Sequence, residues 1–257
     1  FQRLGLSDMT TAIIGAGVMG ETLLSGLLRA GVPTSELLIA DRRIERSAEV
    51  TEKHGVVNGT NQEVSAKADT VVLVVKPQDM AIVLAEIKDS IKPGTLVVSL
   101  AAGITTSFIE DLLPAQTPVI RVMPNTPALV DQGMAAINPG SNCTEAHLQT
   151  AETLLQSVGQ VIRVPEKYQD AVTAISGSGP AYIFYVVEAM IEGGVMLGLP
   201  RDVANELVLQ TVYGAATMLR ETKEHPTVLR EQVTSPGGTT VAALRQFDDF
   251  KVRAAFL

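Results

Sequence analysis

"TAIIGAGVMGETLLSGLLRAG", residues 11–31, passes from a short β-branched run through three spaced glycines into leucines at helical spacing. Strand, tight turn and helix are expected in that order. In such a unit Gly15 makes the turn, Gly17 lets a pyrophosphate come close to the backbone, and Gly20 lets the helix pack on the strand. The free N–H groups and positive end of the helix suit phosphate. A glycine triplet alone also marks ordinary turns; placed between this strand and this helix, it points to dinucleotide binding.

The pattern continues outward. Short apolar runs, "LLIA", "TVVLVV", "TLVVSL", "PVIRVM", "GMAAI" and "QVIRV", alternate with helical stretches up to about Pro165. Runs that are apolar on both faces, each followed by a helix, predict a parallel sheet covered on both sides, a doubly wound α/β domain over residues 1–165. Beyond Pro165 the strand pattern stops, and two long helices are expected at roughly 180–198 and 200–221, each with a proline early in the helix (Pro180, Pro200). Residues 166–257 are therefore expected to form an all-helical domain. Its first helix is apolar nearly all round, which suits a buried or subunit-interface position. A membrane span is the weaker reading of Ala181–Leu199, because Glu188 and Glu192 would lie in hydrocarbon. The Met and Tyr of "TVYGAATMLRET" fall at helical spacing and read as packing.

With 257 residues, 46% of them hydrophobic, the chain is long enough for one large or two ordinary domains. A net charge of −8, with the basic residues spread along the chain, leaves no electrostatic footprint for nucleic acid or an anionic membrane and favours a small-molecule partner. The one cysteine, Cys143, and three widely spaced histidines predict no disulfide and no metal site, in keeping with a reducing, cytoplasmic compartment. The segment "FQRLGLSDMTT" lacks a signal-peptide core and reads as a short extension ahead of Met9.

Several residues are candidates for binding. Asp41 ends the second strand 21 positions after Gly20, where an acid would bond the adenosine ribose of NAD. Arg42 and Arg43 follow at once and suit the 2′-phosphate of NADP; NADP is favoured and NAD is the alternative. The loops Val74–Gln78 and Arg121–Pro127 leave the carboxyl ends of later strands and are placed to line a nicotinamide pocket. Within them Lys76 is given a positioning role, and Asn125 either bonds the carboxamide or ribose or makes a plain turn. "SGSGP" puts Ser176 and Ser178 ahead of Pro180, and "SPGGTT" puts Gly237, Gly238, Thr239 and Thr240 at another helix start. Each is either an ordinary capped turn or a turn receptive to an anion; the pair suggests a carboxylate site.

The motifs "GAGVMG", "VVKPQ", "AAGIT", "RVMPNTP", "SGSGPAY" and "VTSPGGTT", in this order and spacing, resemble those of the pyrroline-5-carboxylate reductase family from about Thr11 to the end of the chain. The last two are the specific ones. The resemblance implies a Rossmann domain followed by a helical dimerisation domain, with homodimers assembling into decamers of five dimers. It implies cofactor contacts by the loop Gly15, Ala16, Gly17, Val18, Met19 and Gly20, and by Asn61, Val74, Val75, Lys76, Pro77 and Ala101. It also implies that Ser235, Gly238 and Thr239 hold the substrate carboxylate, with Thr240 near the ring nitrogen, in a site completed by the partner subunit. Two departures stand out. Relatives often carry Asn-Arg or Ser/Thr where this chain has Asp41-Arg42-Arg43, and they continue through a further stretch of helix beyond "VRAAFL", so a trimmed tail is expected.

The implied reaction is hydride transfer from NAD(P)H to the C=N carbon of 1-pyrroline-5-carboxylate, giving L-proline. The imine enters protonated, or Thr240 relays a proton from water. Two other readings are a reductase of another cyclic imine or of a hydroxyacid, and a non-catalytic NADP sensor. A hydroxyacid enzyme is expected to carry a Lys or His base in its helical domain, and Ser176–Leu199 has none. A sensor has no need of a carboxylate turn beside a phosphate turn.

Overall fold

The computed structural model describes residues 9–257, so the expectation for the segment ahead of Met9 lies outside the described residues. In chain order the elements are β1 Thr11–Ile14, α1 Val18–Arg29, β2 Leu37–Ala40, α2 Ile44–His54, β3 Val57–Asn58, α3 Asn61–Lys67, β4 Thr70–Leu73, α4 Met80–Ile87, β5 Leu96–Ser99, α5 Thr106–Leu112, β6 Val119–Met123, β7 Gly133–Pro139, α6 Glu145–Gln156 and β8 Gly159–Arg163. Helices then take over: α7 Gln169–Val172, α8 Gly179–Met196, α9 Arg201–Thr222, α10 Pro226–Gln232, α11 Thr239–Asp249 and α12 Val252–Phe256. Compact packing divides the chain between Tyr182 and Ile183.

The first unit is a sheet with strand order β3-β2-β1-β4-β5-β6-β7-β8. Alternate side chains of each strand feed opposite cores. Ile13, Val72, Val98 and Ile120 join the apolar cluster beside Leu23, Leu24 and Leu154. Ala12, Ile14, Val71, Leu73 and Val97 join another beside Leu84, Ile87 and Ile109. This two-sided burial is why the strands read as continuous apolar runs. Local signals set the helix ends: Thr60 and Glu63 form a reciprocal capping box on α3, and Gly55 closes α2 in the left-handed conformation.

Two sheet features differ from the sequence expectation. The sheet is mixed, because β7 runs antiparallel to β6 and β8 follows β7 in parallel. The segment Pro124–Gln132 carries only a short 3₁₀ turn and no crossover helix, so the chain can return only as a hairpin. The strand β3 was also missed: it has two residues, both exposed, and so no hydrophobic period.

In the second unit α8 contains no buried residue, and α9 contains only Ala204 and Val208. Tyr185, Met196 and Tyr213 are exposed in the single chain, so α8 is not buried within it, and the interface half of the expectation is the one left open. The run Glu166–Met196 is also long and apolar enough, by length and composition, to cross a membrane. Pro200 stands as the N-cap of α9 rather than inside it.

Closure of the first β-α unit depends on missing side chains. A Cβ on Gly20 would lie 1.9 Å from the Gly15 carbonyl oxygen, and one on Gly15, at φ +104°, 2.3 Å from that of Val74. Both obstacles are backbone. Gly20→Ala should therefore lower the unfolding free energy by about 1–3 kcal/mol. Gly17→Ala meets open space and should stay within about 0.5 kcal/mol of wild type. Urea denaturation of the two variants checks the contrast.

Candidate functional site

The candidate cofactor residues gather where the strands of the first unit end. In sheet order β2-β1-β4-β5-β6, the carboxyl ends lead into Asp41, Gly15, Val74, Leu100-Ala101 and Pro124-Asn125. Backbone hydrogen bonds carry the ladder past the strand ends: Gly15 N–H to Ala40 O at 2.7 Å, Val74 N–H to Ile14 O at 2.8 Å and Leu100 N–H to Leu73 O at 2.9 Å. The loops therefore start from fixed positions, at the edge where open α/β sheets take ligands.

The glycine loop presents unpaired donors. Gly17 is the N-cap of α1 without a side-chain cap, and Glu21 N–H is the first to bond back into the helix, to Gly17 O. The N–H groups of Val18, Met19 and Gly20 thus have no acceptor within the helix. A Cβ on Gly17 would meet nothing within 4 Å, so the space before it is open to a close approach. Bare N–H groups, a positive helix end and that open space fit a dinucleotide pyrophosphate.

Side chains from β2 and α2 hold the loop from behind. The Asp41 carboxylate accepts from Ala16 N–H at 2.8 Å and from Arg43 N–H at 2.9 Å and Nε at 3.1 Å. Burial raises its pKa, but the bonds from Arg43 and Ala16 outweigh that and hold it below the ordinary aspartate value. The Arg46 Nε donates to Ala16 O at 2.8 Å, and its guanidinium pairs with Glu21 and Glu49. Glu21 in turn accepts from Lys53 at 2.8 Å and lies 3.0 Å from His54 Nε2. Sequence reasoning missed Arg46, Glu21 and His54; they meet across two helices, which no linear spacing reveals.

The other candidates are placed as follows. Arg42 reaches Asp79, in the turn after Pro77, at 3.2 Å while staying 72% exposed. Lys76 is exposed and caps the turn Pro77–Asp79, Val75 and Val74 are half-buried, and Ala101 is buried. Asn61 opens α3 and bonds Glu86 at 2.6 Å. Asn125 is a bracket: its Oδ1 accepts from Met134 N–H at 2.7 Å and its Nδ2 donates to Ser176 O at 3.1 Å.

The two expected anion turns differ. Ser178 stands directly before α8, which starts at Gly179 with Pro180 second, whereas Ser176 lies inside a π-helical turn over residues 173–177 and its hydroxyl donates to Val172 O at 3.0 Å. A Cβ on Gly177 would lie 2.6 Å from the tip of the Met123 side chain, so the glycine leaves room for Met123 there. Such π turns inside helices are frequent at functional sites. The 235–240 turn is a helix mouth. Gly237 has φ +67°, Gly238 N–H returns to Ser235 O at 3.1 Å, and Gly238 is the N-cap of α11 without a side-chain cap. A Cβ on Gly238 would lie 2.4 Å from Ser235 Oγ, so glycine is what lets that hydroxyl fold over the turn. Ala242 N–H is the first bonded into the helix, which leaves the N–H groups of Thr239, Thr240 and Val241 free beside three hydroxyls.

Residues 166–257 match the family described as pyrroline-5-carboxylate reductase dimerisation, and residues 10–103 match NADP oxidoreductase coenzyme F420-dependent. The chain is 45% identical to the pyrroline-5-carboxylate reductase of Corynebacterium melassecola, over 96% of this chain and 93% of that one. It superposes with a TM-score of 0.90 on a pyrroline-5-carboxylate reductase structure from Coxiella burnetii, at 37% identity and covering 96% and 93% of the two chains. The Plasmodium falciparum pyrroline carboxylate reductase with NADP bound gives a TM-score of 0.85 at 27% identity, covering 97% and 93%.

The charge cluster behind the loop makes a pH prediction. Hydrogen bonds from Lys53, His54 and Arg46 hold the Glu21 carboxyl at about 2, against the upward pull of burial. A depressed carboxylate adds stability above its unfolded value of 4.5, and loses it as pH falls toward the folded value. The stability gap between wild type and Glu21→Gln should be full at pH 7 and shrink steadily below about pH 4.5. Denaturant midpoints measured at pH 7, 5 and 3.5 check it.

Proposed function

The chain belongs to the pyrroline-5-carboxylate reductase family, and on that premise we propose how its residues divide the work. It is an oxidoreductase that reduces 1-pyrroline-5-carboxylate to L-proline, the last step of proline biosynthesis, with a nicotinamide cofactor. It forms a homodimer through its helical region. The observation that carries the residue assignment is the pair of helix mouths with uncommitted donors, one on α1 and one on α11. A dinucleotide brings a pyrophosphate and the substrate brings a carboxylate, so each mouth has an anion to receive.

The bound cofactor supplies the hydride that the C=N carbon receives. The loop Gly15–Gly20, with Asn61, Val74–Pro77, Ala101 and Asn125, holds and orients the dinucleotide. Ser235, Gly238 and Thr239 bind the substrate carboxylate through hydroxyl and N–H donors, with Gly237 shaping the turn. Ser176 and Ser178 line the pocket from the π-helical side. Thr240 lies near the ring nitrogen and relays a proton from water, or steadies an imine that enters protonated. Hydride on carbon and proton on nitrogen complete the amine. These motifs supply no His, and Lys76 is kept for positioning, so catalysis rests on placing the imine carbon against the hydride donor.

NADPH is the preferred cofactor in this reading. Asp41 already accepts from Ala16 N–H and Arg43, which leaves it poorly placed to take two ribose hydroxyls. Arg42 and Arg43 are 72% and 58% exposed, with room to turn toward a 2′-phosphate. We read the functional boundary as lying between Pro165 and Glu166, a reading supported by the dimerisation match over residues 166–257. The exposed apolar face of α8 is read as dimer surface rather than membrane surface, because Glu188 and Glu192 lie within the helix. A cytoplasmic location and assembly of five dimers into a decamer complete the proposal; sizing with light scattering tests the latter.

Oxidation of NADPH with pyrroline-5-carboxylate is the direct assay. Arg42→Ala/Arg43→Ala should cut kcat/KM with NADPH about tenfold or more while leaving NADH turnover nearly unchanged, the loss expected for charge-assisted bonds to one phosphate. An equal loss with both cofactors would overturn the 2′-phosphate assignment.

Thr240→Val should lower kcat by about tenfold or more with little change in cofactor KM, whereas Thr239→Val should act mainly on the KM for pyrroline-5-carboxylate. Full activity of Thr240→Val would remove that residue from the mechanism.

A further inference from the structure

The peptide groups on either side of Ala16 are both held by side chains from outside the glycine loop. Asp41 takes the Ala16 N–H at 2.8 Å, and Arg46 Nε donates to the Ala16 carbonyl at 2.8 Å. Arg46 is the third residue of α2, and its side chain is only 19% exposed. Its other nitrogens are occupied by Glu21 of α1 and Glu49 of its own helix. The guanidinium therefore cannot swing away without breaking two ion pairs, and a planar fork loses little freedom in making all three contacts.

The orientation follows from peptide geometry. The Ala16–Gly17 peptide is trans, so its C=O and N–H point in opposite directions. Arg46 on the carbonyl leaves the Gly17 N–H facing away from α2, in the loop where a Cβ on Gly17 would find open space.

We propose that Arg46 is a positioning residue for the dinucleotide, which holds the Ala16 carbonyl so that the Gly17 N–H stays presented to the pyrophosphate. This rests on reading the glycine loop as the dinucleotide cradle. Arg46 acts on the part of the cofactor that NADPH and NADH share, which separates it from Arg42 and Arg43. Glu21 is the anchor that keeps Arg46 in place, and Lys53 and His54 keep Glu21 in place.

The test is calorimetric titration of the full-length protein with NADPH and, separately, NADH, alongside its thermal midpoint. Arg46→Met keeps the aliphatic stem and removes the donors; it should weaken both cofactors by the same factor, about tenfold. In steady state the cofactor KM should rise in step with that factor, with a smaller change in kcat and in the KM for pyrroline-5-carboxylate. Arg46→Lys, which cannot reach Ala16 and Glu21 at once, should fall between the two and decides the matter if Arg46→Met does not fold. Wild-type affinity for both cofactors in a folded variant would overturn the proposal, as would a loss confined to NADPH, which would make Arg46 a reader of the 2′-phosphate. A wild-type protein that binds neither nucleotide would overturn the reading of the cradle itself, whereas unchanged binding in the variants overturns only the role of Arg46.

Discussion

The first unit depends on one steric constraint: the contact of backbone with backbone at Gly15, Gly20 and Val74. No side-chain carbon fits between the Gly15 carbonyl and the start of α1, or between Gly15 and Val74 just past the end of the neighbouring strand. Removing those carbons lets α1 descend onto the sheet directly after β1. It then buries Leu23, Leu24 and Leu27 against Ile13 and Ile39. The same close approach brings the N–H groups of the helix mouth to the carboxyl edge of the sheet, beside the ends of β2 and β4. Helix packing and the exposure of these donors thus have a common cause, and the same arrangement leaves the space before Gly17 open.

Around that contact the protein arranges charge rather than more apolar surface. Asp41, Arg46, Glu21, Lys53 and His54 form a chain from the end of β2 across α2 to α1, with Ala16 between its first two members. A loop of small residues has few side chains of its own with which to fix its peptide planes. Borrowed hydrogen bonds do that work, and they remain effective because Asp41, Glu21 and Arg46 are largely covered.

How much of this was legible in the sequence varies with the range of the interaction. The strand, turn and helix at residues 11–31 were readable, because each glycine answers a local steric need and each apolar run a local burial pattern. The return of β7 was not, since antiparallel pairing follows from a missing crossover helix rather than from the strand's own composition. The "SGSG" segment was readable in part: Ser178 does stand before the start of α8 at Gly179, whereas Ser176 and Gly177 are taken up by a π turn that local composition does not mark. The "SPGGTT" turn was readable because Pro-Gly-Gly closes a turn by local chemistry alone. Arg46 was invisible: its partners lie 30 and 25 positions away in sequence, and nothing in "RRIERSAE" marks the third arginine apart from the first two.

The second unit obeys a different economy of burial. A large apolar side chain taken out of water contributes about 1.5–3 kcal/mol. The first unit collects that contribution from both faces of its sheet, while α8 and most of α9 collect almost none within the chain. Helices this apolar do not stay folded in water by propensity alone. The helical region matches a dimerisation family, and the uncovered apolar face of α8 is surface for the second copy of the homodimer to take out of water. In the proposed assignment, carboxylate binding at the mouth of α11 needs Thr239 and Thr240 held within a fraction of an ångström of their productive positions.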